Sequence, residues 1–292
     1  MIPVSSEDKP SAPSPAQPVE PRDAATVVLL RDRARGQGME VYLVKRSRMV
    51  DFMAGAHVFP GGRLDKADSA ASACALLSSA AVELQKRLGE KLTATHAAGL
   101  YIAAIRETFE EAGLLFGKFA AGWNLGDARA AVADGAQFAT LMEKIDAAAL
   151  VPWVRWVTPV ISPRRFDARF FLARSPEGQE PRVDGREATE GLWITPADAI
   201  QTWLDDEMLL APATAKCLDA LRAHRSVDEA LAAAAGRAPP VMMPLVWNDK
   251  ERGQAYISLP GDPRHPEASD ALGGTYLRFQ LETGRYRPVT AA

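Results

Sequence analysis

The sequence predicts an α+β fold in which a mixed β-sheet packs between helices. Short runs rich in β-branched residues are interleaved with helix-like segments, but without the regular strand–helix–strand repeat of a doubly wound parallel sheet. Neither a phosphate-binding P-loop nor the glycine fingerprint of dinucleotide-binding folds occurs. The chain has 292 residues, 47% of them hydrophobic. That is enough for the sizeable core that such a sandwich buries.

Composition excludes several function classes. The formal net charge of −3 gives no general attraction to nucleic acid or to anionic membranes. No run of about 18 apolar residues predicts a membrane span. Cys74 and Cys217 lie far apart without C-x-x-C spacing, so we expect neither a disulfide scaffold nor a zinc site. Because no secretory signal pattern is seen, we expect a cytoplasmic protein with no nucleic-acid or membrane partner.

The first part of the chain is expected to contain a tail, three strands and a helix. Residues 1–23, rich in Pro, Ser, Asp and Glu, are predicted to be a disordered tail. The strands are β-branched-rich or bounded by glycine and proline, and are predicted at residues 24–30, 41–44 and 56–59. An alanine- and leucine-rich helix is predicted over 70–88, since Asp68 or Ser69 can cap its start and Gly89 follows its end.

The next predicted helix, at about residues 96–112, carries the chemistry. Its last turns hold one arginine and three glutamates, namely Arg106, Glu107, Glu110 and Glu111. At about 100° per residue the glutamates share one side, opposite a core-facing stripe that includes Phe109, and Gly113 suits a left-handed cap. The carboxylates repel one another, and a divalent cation such as Mg²⁺ or Mn²⁺ would relieve that repulsion. A solvated charged face is the alternative.

The second half of the chain is predicted to complete the sheet and its helical cover. Residues 117–150 are predicted to be largely helical. Strands are predicted at 153–161, 166–173 and 192–194, and helices at 196–205, 212–224 and 227–235. These elements predict one domain over residues 24–235. A C-terminal extension, residues 236–292, contains further strand-like runs at 255–259 and 275–281.

Together with an upstream glycine, the acidic stretch resembles the signature of the Nudix hydrolase family, G-x5-E-x7-R-E-U-x-E-E-x-G-U, where U is bulky and apolar. Gly62 matches the first glycine and residues 106–114 match the second half, with Thr108 at a usually aliphatic position. Asp68 stands in place of the first glutamate. The spacer before Arg106 spans residues 69–105, so that about 30 residues, 69–98, are predicted to be a helical insertion. Such a split signature resembles the subgroup that includes peroxisomal acyl-CoA diphosphatases and their bacterial relatives.

The resemblance implies a Nudix-type α/β/α sandwich and a metal-dependent site. Glu107, Glu110 and Glu111 are the implied metal ligands or catalytic bases, and a backbone carbonyl at Gly61 is a further implied ligand. Arg106 is implied to orient a glutamate through an ion pair. Asp68 is left with two alternatives, an approach to the metal or capping of the inserted helix.

A second resemblance concerns the substrate. Nudix enzymes that act on coenzyme A often carry R-[SA]-x3-R-x3-G-x3-F-P-G-G, and residues 46–62 match it except at Asp51, where the second arginine would stand. An acidic side chain cannot bind a 3′-phosphate as arginine would. The implied substrate-binding residues are Arg46, Gly62, Phe59, Arg164 and Arg165. Core packing is the alternative for Phe59, and a surface position is the alternative for each arginine.

The family also places a glutamate shortly before a strand near a tryptophan, and Glu187 and Glu190 precede Trp193 in this way. Either would complete the metal site or act as base, and Glu107 is the other candidate base. The implied reaction is hydrolysis of the diphosphate linkage in a small-molecule nucleotide, with coenzyme A or acyl-CoA expected first. ADP-ribose, NADH or another nucleotide is the alternative substrate, and a non-catalytic nucleotide-binding regulator is the alternative function. A homodimer contact is also considered for helix 70–88.

Overall fold

The computed structural model describes residues 19–47, 49 and 53–289, and it confirms the α+β class with a mixed sheet. The α-helices within these residues are α1 Ala71–Cys74, α2 Ala81–Leu88, α3 Ala94–Ala112, α4 Leu125–Ala133, α5 Pro196–Leu204, α6 Pro212–Leu221 and α7 Val227–Ala235. The first nine strands are β1 Arg22–Asp32, β2 Met39–Arg46, β3 His57–Val58, β4 Gly61–Arg63, β5 Gly117–Phe119, β6 Met142–Ile145, β7 Val151–Val157, β8 Phe166–Arg174 and β9 Ala188–Ile194. The remaining strands are β10 Val241–Met242, β11 Leu245–Asp249, β12 Gln254–Ser258, β13 Arg278–Glu282 and β14 Arg285–Pro288.

The central sheet is mixed and forked. Its order is β10-β7-β8-β1-β2-β3, with β4 also paired to β1 and β9 to β2. Strands β1 and β8 run parallel, whereas β1 and β2 are antiparallel and pair only where Leu30–Asp32 meets Met39–Val41. Beyond that point β3 pairs with β2, and β4 pairs with β1 through Gly61 and Gly62. The chain from His57 to Arg63 therefore crosses the fork.

The two faces of the sheet carry separate cores, as alternation along β1 requires. Val27 and Leu29 point to the side covered by α2, α3 and α4, and Val28 and Leu30 to the side covered by α5, α6 and α7. Helix α3 is the main cover of the first face. It begins at Ala94, slightly before the predicted start, because the Thr93 hydroxyl accepts from the His96 amide, and Gly113 takes the expected left-handed conformation at φ 68°.

The predicted helix over 70–88 is wrong in one respect, because it is two short helices, α1 and α2, separated by a turn. Backbone hydrogen bonds to β6 interrupt it: the Ile145 amide donates to the Leu76 carbonyl at 2.8 Å, and the Ser78 amide donates to the Ile145 carbonyl at 2.8 Å. The prediction of a largely helical 117–150 is also wrong. Within it, β5 and β6 form an antiparallel pair, and α4 is the α-helix.

The tail predicted over residues 1–23 is too long, because β1 already begins at Arg22. Residues 1–18 lie outside the described part of the chain. Asp23 is tied to the sheet by the guanidinium of Arg169 and by His96 Nε2 at 2.9 Å. Arg169 also bonds Glu90 at 2.7 Å, in the loop between α2 and α3. These ion pairs join the start of β1, β8 and the segment between the two halves of the signature.

Strands β11 to β14 form a separate antiparallel sheet that packs beside α5 and α6. Phe279 is fully buried there, with its ring centroid 6.2 Å from that of Trp203 on α5. Lys216 on α6 is completely buried and bonds the Asp270 carboxylate at 2.6 Å. The C-terminal residues thus share the second core. Of the helices in the described part of the chain, none is both long and apolar enough to cross a membrane.

Candidate active site

A cavity of about 1400 Å³ opens at the fork of the sheet. The last turns of α3 and the Gly61-Gly62 segment form one part of its lining. Helix α4, the start of α6, β7, β8, the segment before β9 and the C-terminal sheet also contribute to it. Glu107, Glu110 and Glu111 all line it, so the structure brings the predicted acidic stretch and the upstream glycines together around one space.

Arg106 is the hub of the acidic helix end. Its side chain is only 10% exposed, and one terminal nitrogen bonds Glu107 at 2.8 Å and approaches Glu110 at 3.3 Å. The other terminal nitrogen bonds the Arg63 carbonyl at 2.9 Å. Burial disfavours the charged form, but the hydrogen bonds and charge of Asp68 and the glutamates raise the pKa of Arg106 well above its ordinary value. The guanidinium therefore stays charged and positions the two glutamates.

Asp68 lines the cavity, and it does not cap the inserted helix. Its carboxylate binds Arg106 bidentately, with Nε and a terminal nitrogen at 3.0 and 2.9 Å, and accepts from the Asp65 amide at 2.9 Å. The N-cap of α1 is Ala70, which makes no side-chain capping bond. Asp68 thus holds the arginine that holds the glutamates, because a carboxylate facing a buried guanidinium gains more than one capping a four-residue helix.

Glu111 and Glu107 form a carboxylate pair against the glycine segment. Glu111 is buried and accepts a hydrogen bond from the Gly61 amide at 3.0 Å. A Cβ at Gly62 would lie 2.4 Å from the Glu107 carboxylate, so a larger residue there would displace that side chain from its bond to Arg106. Burial, followed by the charge of Glu107, raises the pKa of Glu111 to about 8. Burial also raises the pKa of Glu107 to about 7, despite the neighbouring Arg106.

The third glutamate of the stretch, Glu110, lies at the rim. Its side chain is 31% exposed, and burial raises its pKa above the ordinary value although Arg106 opposes the shift. All three glutamates therefore face the cavity at different depths, with Glu111 deepest.

Of the two distal candidates, only Glu187 lines the cavity. It is exposed, and its charge adds to the burial that raises the pKa of Glu107 and of Glu111. Its backbone carbonyl accepts from the Ser47 amide at 2.8 Å, next to Arg46. Glu190 instead bonds Lys45 at 3.0 Å and is absent from the described lining. In the pairing of β2 with β9, Glu190 lies opposite Lys45, next to the bulge at Arg46.

The five predicted substrate-binding residues separate into three groups. Arg46 and Gly62 line the cavity. Phe59 touches it but is 3% exposed and packs edge-on against Phe170, with ring centroids 6.3 Å apart, so its alternative role in the core is confirmed.

The described lining does not include Arg164 or Arg165. The Arg165 guanidinium donates to the carbonyls of Thr158 and Val19 at 3.0 and 2.7 Å, because it closes the β7–β8 connection. Asp51 lies outside the described residues.

Sequence reasoning missed two cavity arginines, Arg129 on α4 and Arg186 before β9. Arg129 lies over Gly113, where an added Cβ would meet its guanidinium at 2.7 Å. Burial lowers the pKa of Arg129, while the nearby Asp184 opposes the shift. The sequence offered little to identify Arg129, which is the one basic residue of the alanine-rich helix α4. That helix lies in the segment 117–150, whose fold was predicted wrongly.

The carboxylates of the cavity supply only some of the ligands that a divalent cation needs. Among the described residues, no three His, Cys, Asp or Glu side chains form a ready-made metal site. Glu107 and Glu111 nevertheless form a pair whose mutual repulsion and raised pKa values a cation would relieve. Mg²⁺ commonly uses one or two carboxylates and takes its other ligands from substrate phosphates and water. The residues present therefore fit a cation that is completed by its substrate.

Comparison with known proteins agrees with this geometry. The model of the NUDT19 Nudix domain family matches residues 21–219. The chain is 30% identical to a putative nudix hydrolase 7 of Caenorhabditis elegans, over 65% of this chain and 57% of that protein. It is also 30% identical to the acyl-coenzyme A diphosphatase NUDT19 of Gallus gallus, over 80% of this chain and 75% of that protein.

Among solved structures, the chain is similar to a NUDIX hydrolase from Alicyclobacillus acidocaldarius. The TM-score is 0.56 and the identity 27%, over 75% of this chain and 97% of the other. The shared sheet and helices confirm the sandwich that the split signature implied.

Proposed function

The chain belongs to the Nudix hydrolase family, within the NUDT19 type, and from that premise we propose that it hydrolyses the diphosphate linkage of coenzyme A or an acyl-CoA. Nudix hydrolases generally need divalent metal ions, and we propose Mg²⁺ or Mn²⁺. The observation that carries the proposal is the pair Glu107–Glu111, held against Gly61 and Gly62 inside a cavity that also presents arginines. The similar chicken protein is named for the same reaction.

Four groups would hold the cation: the carboxylates of Glu107, Glu110 and Glu111 and the carbonyl of Gly61. When bound, the ion supplies a water of lowered pKa and neutralises diphosphate oxygens. Arg106 is a positioning residue, because it bonds Glu107 and Glu110 while Asp68 and the Arg63 carbonyl hold it in turn.

Glu187 is the base that this arrangement favours. Its side chain makes no ion pair within the described part of the chain, whereas Glu107 is already bonded to Arg106. Glu187 would accept the proton of the attacking water as the water oxygen bonds phosphorus and the bridging P–O bond breaks. Cleavage of coenzyme A in this way yields phosphopantetheine and adenosine 3′,5′-bisphosphate.

The cavity arginines suit the charged half of that substrate. Arg46, Arg129 and Arg186 line the same space as the glutamates. Guanidinium groups bind phosphate oxygens bidentately, so these residues would hold the diphosphate and the 3′-phosphate. Arg129 and Arg186 would thereby provide the positively charged side chains for phosphate binding that the aspartate at position 51 cannot provide.

The test is a substrate panel. Initial rates on coenzyme A, decanoyl-CoA, ADP-ribose and NADH are measured with Mg²⁺ and with Mn²⁺, and products are identified by mass spectrometry. We expect coenzyme A or its thioester to have the highest kcat/KM, and Glu187→Gln to lower kcat more than it changes KM. The control Glu190→Gln removes a neighbouring carboxylate that is bonded to Lys45 and should retain wild-type rates.

Two results would overturn the proposal. A preference of about tenfold or more for ADP-ribose or NADH, roughly 1.4 kcal/mol in transition-state binding, would assign the site to another substrate. Tight nucleotide binding without cleavage under either metal would leave a binding module rather than an enzyme.

A further inference from the structure

The lining of the cavity is divided by charge. Its described charged side chains come from three segments, residues 46–68, 106–129 and 184–187. A second part of the lining comes from residues 156–170, from 211–214 at the start of α6, and from the C-terminal sheet, and it holds no charged side chain. We call this second part the apolar wall. Its C-terminal members are Pro244, Val246, Ile257 and Tyr286.

One face of the C-terminal sheet builds much of this wall. The register places Val246 opposite Ile257 and Ile257 opposite Phe279, so these side chains form one row across β11, β12 and β13. The other face carries Trp247 stacked on Tyr256, with centroids 4.5 Å apart. The sheet therefore presents one face to the cavity and a different one outward.

Buried polar anchors hold the sheet in place beside α6. Lys216 bonds Asp270, and Asp219 accepts from the Tyr276 amide at 2.9 Å. A second buried pair, Arg278 and Asp262, joins β13 to the preceding loop at 2.9 Å. Because breaking such pairs leaves buried charges, the wall keeps one position relative to the cavity.

We propose that the apolar wall binds the pantetheine and acyl part of the substrate, so that the C-terminal sheet sets the preference for acyl-chain length. This inference rests on the proposed function. In an acyl-CoA, the phosphate charges all lie on the 3′-phosphoadenosine diphosphate half, and the acyl-pantetheine half is uncharged. Phosphates against an uncharged wall would lose hydration without gaining a cation. The charged half therefore lies toward Arg46 and Arg129, and the acyl chain lies against Val246 and Ile257.

The size of the expected effect follows from apolar burial. Each fully buried methylene tightens binding about fourfold. Decanoyl-CoA has eight more methylenes than acetyl-CoA, so burial of only two of them gives a preference above about tenfold. A charge on the wall would remove that preference.

The experiment measures binding without turnover. Decanoyl-CoA and acetyl-CoA are titrated into the full chain by calorimetry in EDTA, below the micelle concentration. The wild type should bind decanoyl-CoA at least about tenfold more tightly, and Ile257→Glu should reduce that ratio to about one. Leu245→Glu is the matched control, because Leu245 lies on β11 beside Val246 but faces outward and is 36% exposed. It should keep the wild-type ratio.

Folding and function are separated by two further readings. Ile257→Ala is milder than the glutamate variant and should lower the ratio partially, with thermal unfolding reporting whether each variant folds. Equal binding of the two thioesters by the wild type, or an unchanged ratio in both Ile257 variants, overturns the inference. Turnover with Mg²⁺ is measured separately. Preferential binding of decanoyl-CoA without hydrolysis would overturn the proposed function but support the role of the apolar wall. Equal binding and equal hydrolysis of both thioesters would support the proposed function but overturn the role of the wall.

Discussion

Two ionic clusters under the same sheet differ in how their charges balance. The Arg169 cluster comprises Asp23, Glu90, Arg155, Asp167 and Arg169, and the Glu107 cluster comprises Asp68, Arg106, Glu107, Glu110 and Glu111. In the first, two guanidinium groups face three carboxylates, one of which also bonds His96. In the second, one guanidinium bonds three of the four carboxylates, and Glu111 accepts from the Gly61 amide instead. The first cluster is closed, with its charges nearly balanced, whereas the second is open, with an excess of carboxyl groups that a divalent cation would bind.

The largest expected effect comes from opening the closed cluster. Arg169→Met removes a guanidinium that is 4% exposed and leaves Glu90 and Asp23 without it. Because Arg155 then remains as the one guanidinium of the cluster for three carboxylates, we expect a loss of about 3–5 kcal/mol in the free energy of unfolding, measured by urea denaturation. Molecules that remain folded should retain their kcat. A loss below about 1 kcal/mol would show that the cluster is not structural.

Next in size is the effect of changing the open cluster. Glu111→Gln keeps the shape of the side chain but removes a buried carboxyl group next to Glu107. We expect kcat to fall about a hundredfold or more, roughly 2.7 kcal/mol, because a proposed metal ligand is lost. The free energy of unfolding without metal should not fall. Arg169→Met would thus lower stability and spare kcat, whereas Glu111→Gln would lower kcat and spare stability. A Glu111→Gln variant that is stable and fully active would show that Glu111 is not part of the site.

A smaller effect is expected from the residue that links the site to its support. Asp68→Asn retains hydrogen bonding to Arg106 but loses the opposite charge. We expect kcat to fall about tenfold, roughly 1.4 kcal/mol, since Arg106 is held less firmly. The affinity for Mg²⁺, read by calorimetry, should change little if Asp68 is no ligand. A large loss of metal affinity with unchanged kcat would restore the direct metal role.

The pH dependence of stability gives the smallest and most specific effect. The folded pKa values of Glu107 and Glu111, about 7 and about 8, lie above the ordinary 4.5, so the folded state binds protons that the unfolded state has lost. Their stabilising contribution is present below pH 4.5 and is lost as the pH rises toward 8. In EDTA we expect the free energy of unfolding to fall by about 1 kcal/mol or more between pH 5.5 and 8.5.

Added Mg²⁺ should reverse that trend, because it binds the ionised carboxylates. The matched control is Glu111→Gln, which should show a shallower dependence in EDTA. Identical slopes in the variant and the wild type would mean that the carboxylate pair does not titrate as its burial implies.

Much of the site followed from local pattern. The spacing of Glu107, Glu110 and Glu111 and the cap at Gly113 are properties of a single helix, which geometry alone determines. The match of Gly62 with residues 106–114 implied the family, and the family model confirms it. The helix features depend on neighbours in sequence, and the split signature depends on residue types in a fixed order, so both were visible without coordinates.

Other features depended on contacts between distant residues. Asp68 binds Arg106 across 38 positions, and Leu76 and Ser78 bond β6, which breaks the helix predicted over 70–88. Propensity cannot reveal either, since tertiary hydrogen bonds outweigh the few tenths of a kcal/mol per residue that favour a helix. The role of Arg129 was likewise set by the folding of α4 over Gly113.

By itself the sequence determined the family, the acidic helix face and the glycine turn, because each can be recognised from residue types at fixed positions in short motifs. Tertiary structure alone decided which of the two distal glutamates lines the cavity, where the arginines lie, and that the C-terminal sheet contributes to the lining. The physical reason is the same in each case. Burial and charge pairing act through space, so Glu187 and Glu190, three residues apart in the chain, have different surroundings: one lines the cavity, and the other bonds Lys45.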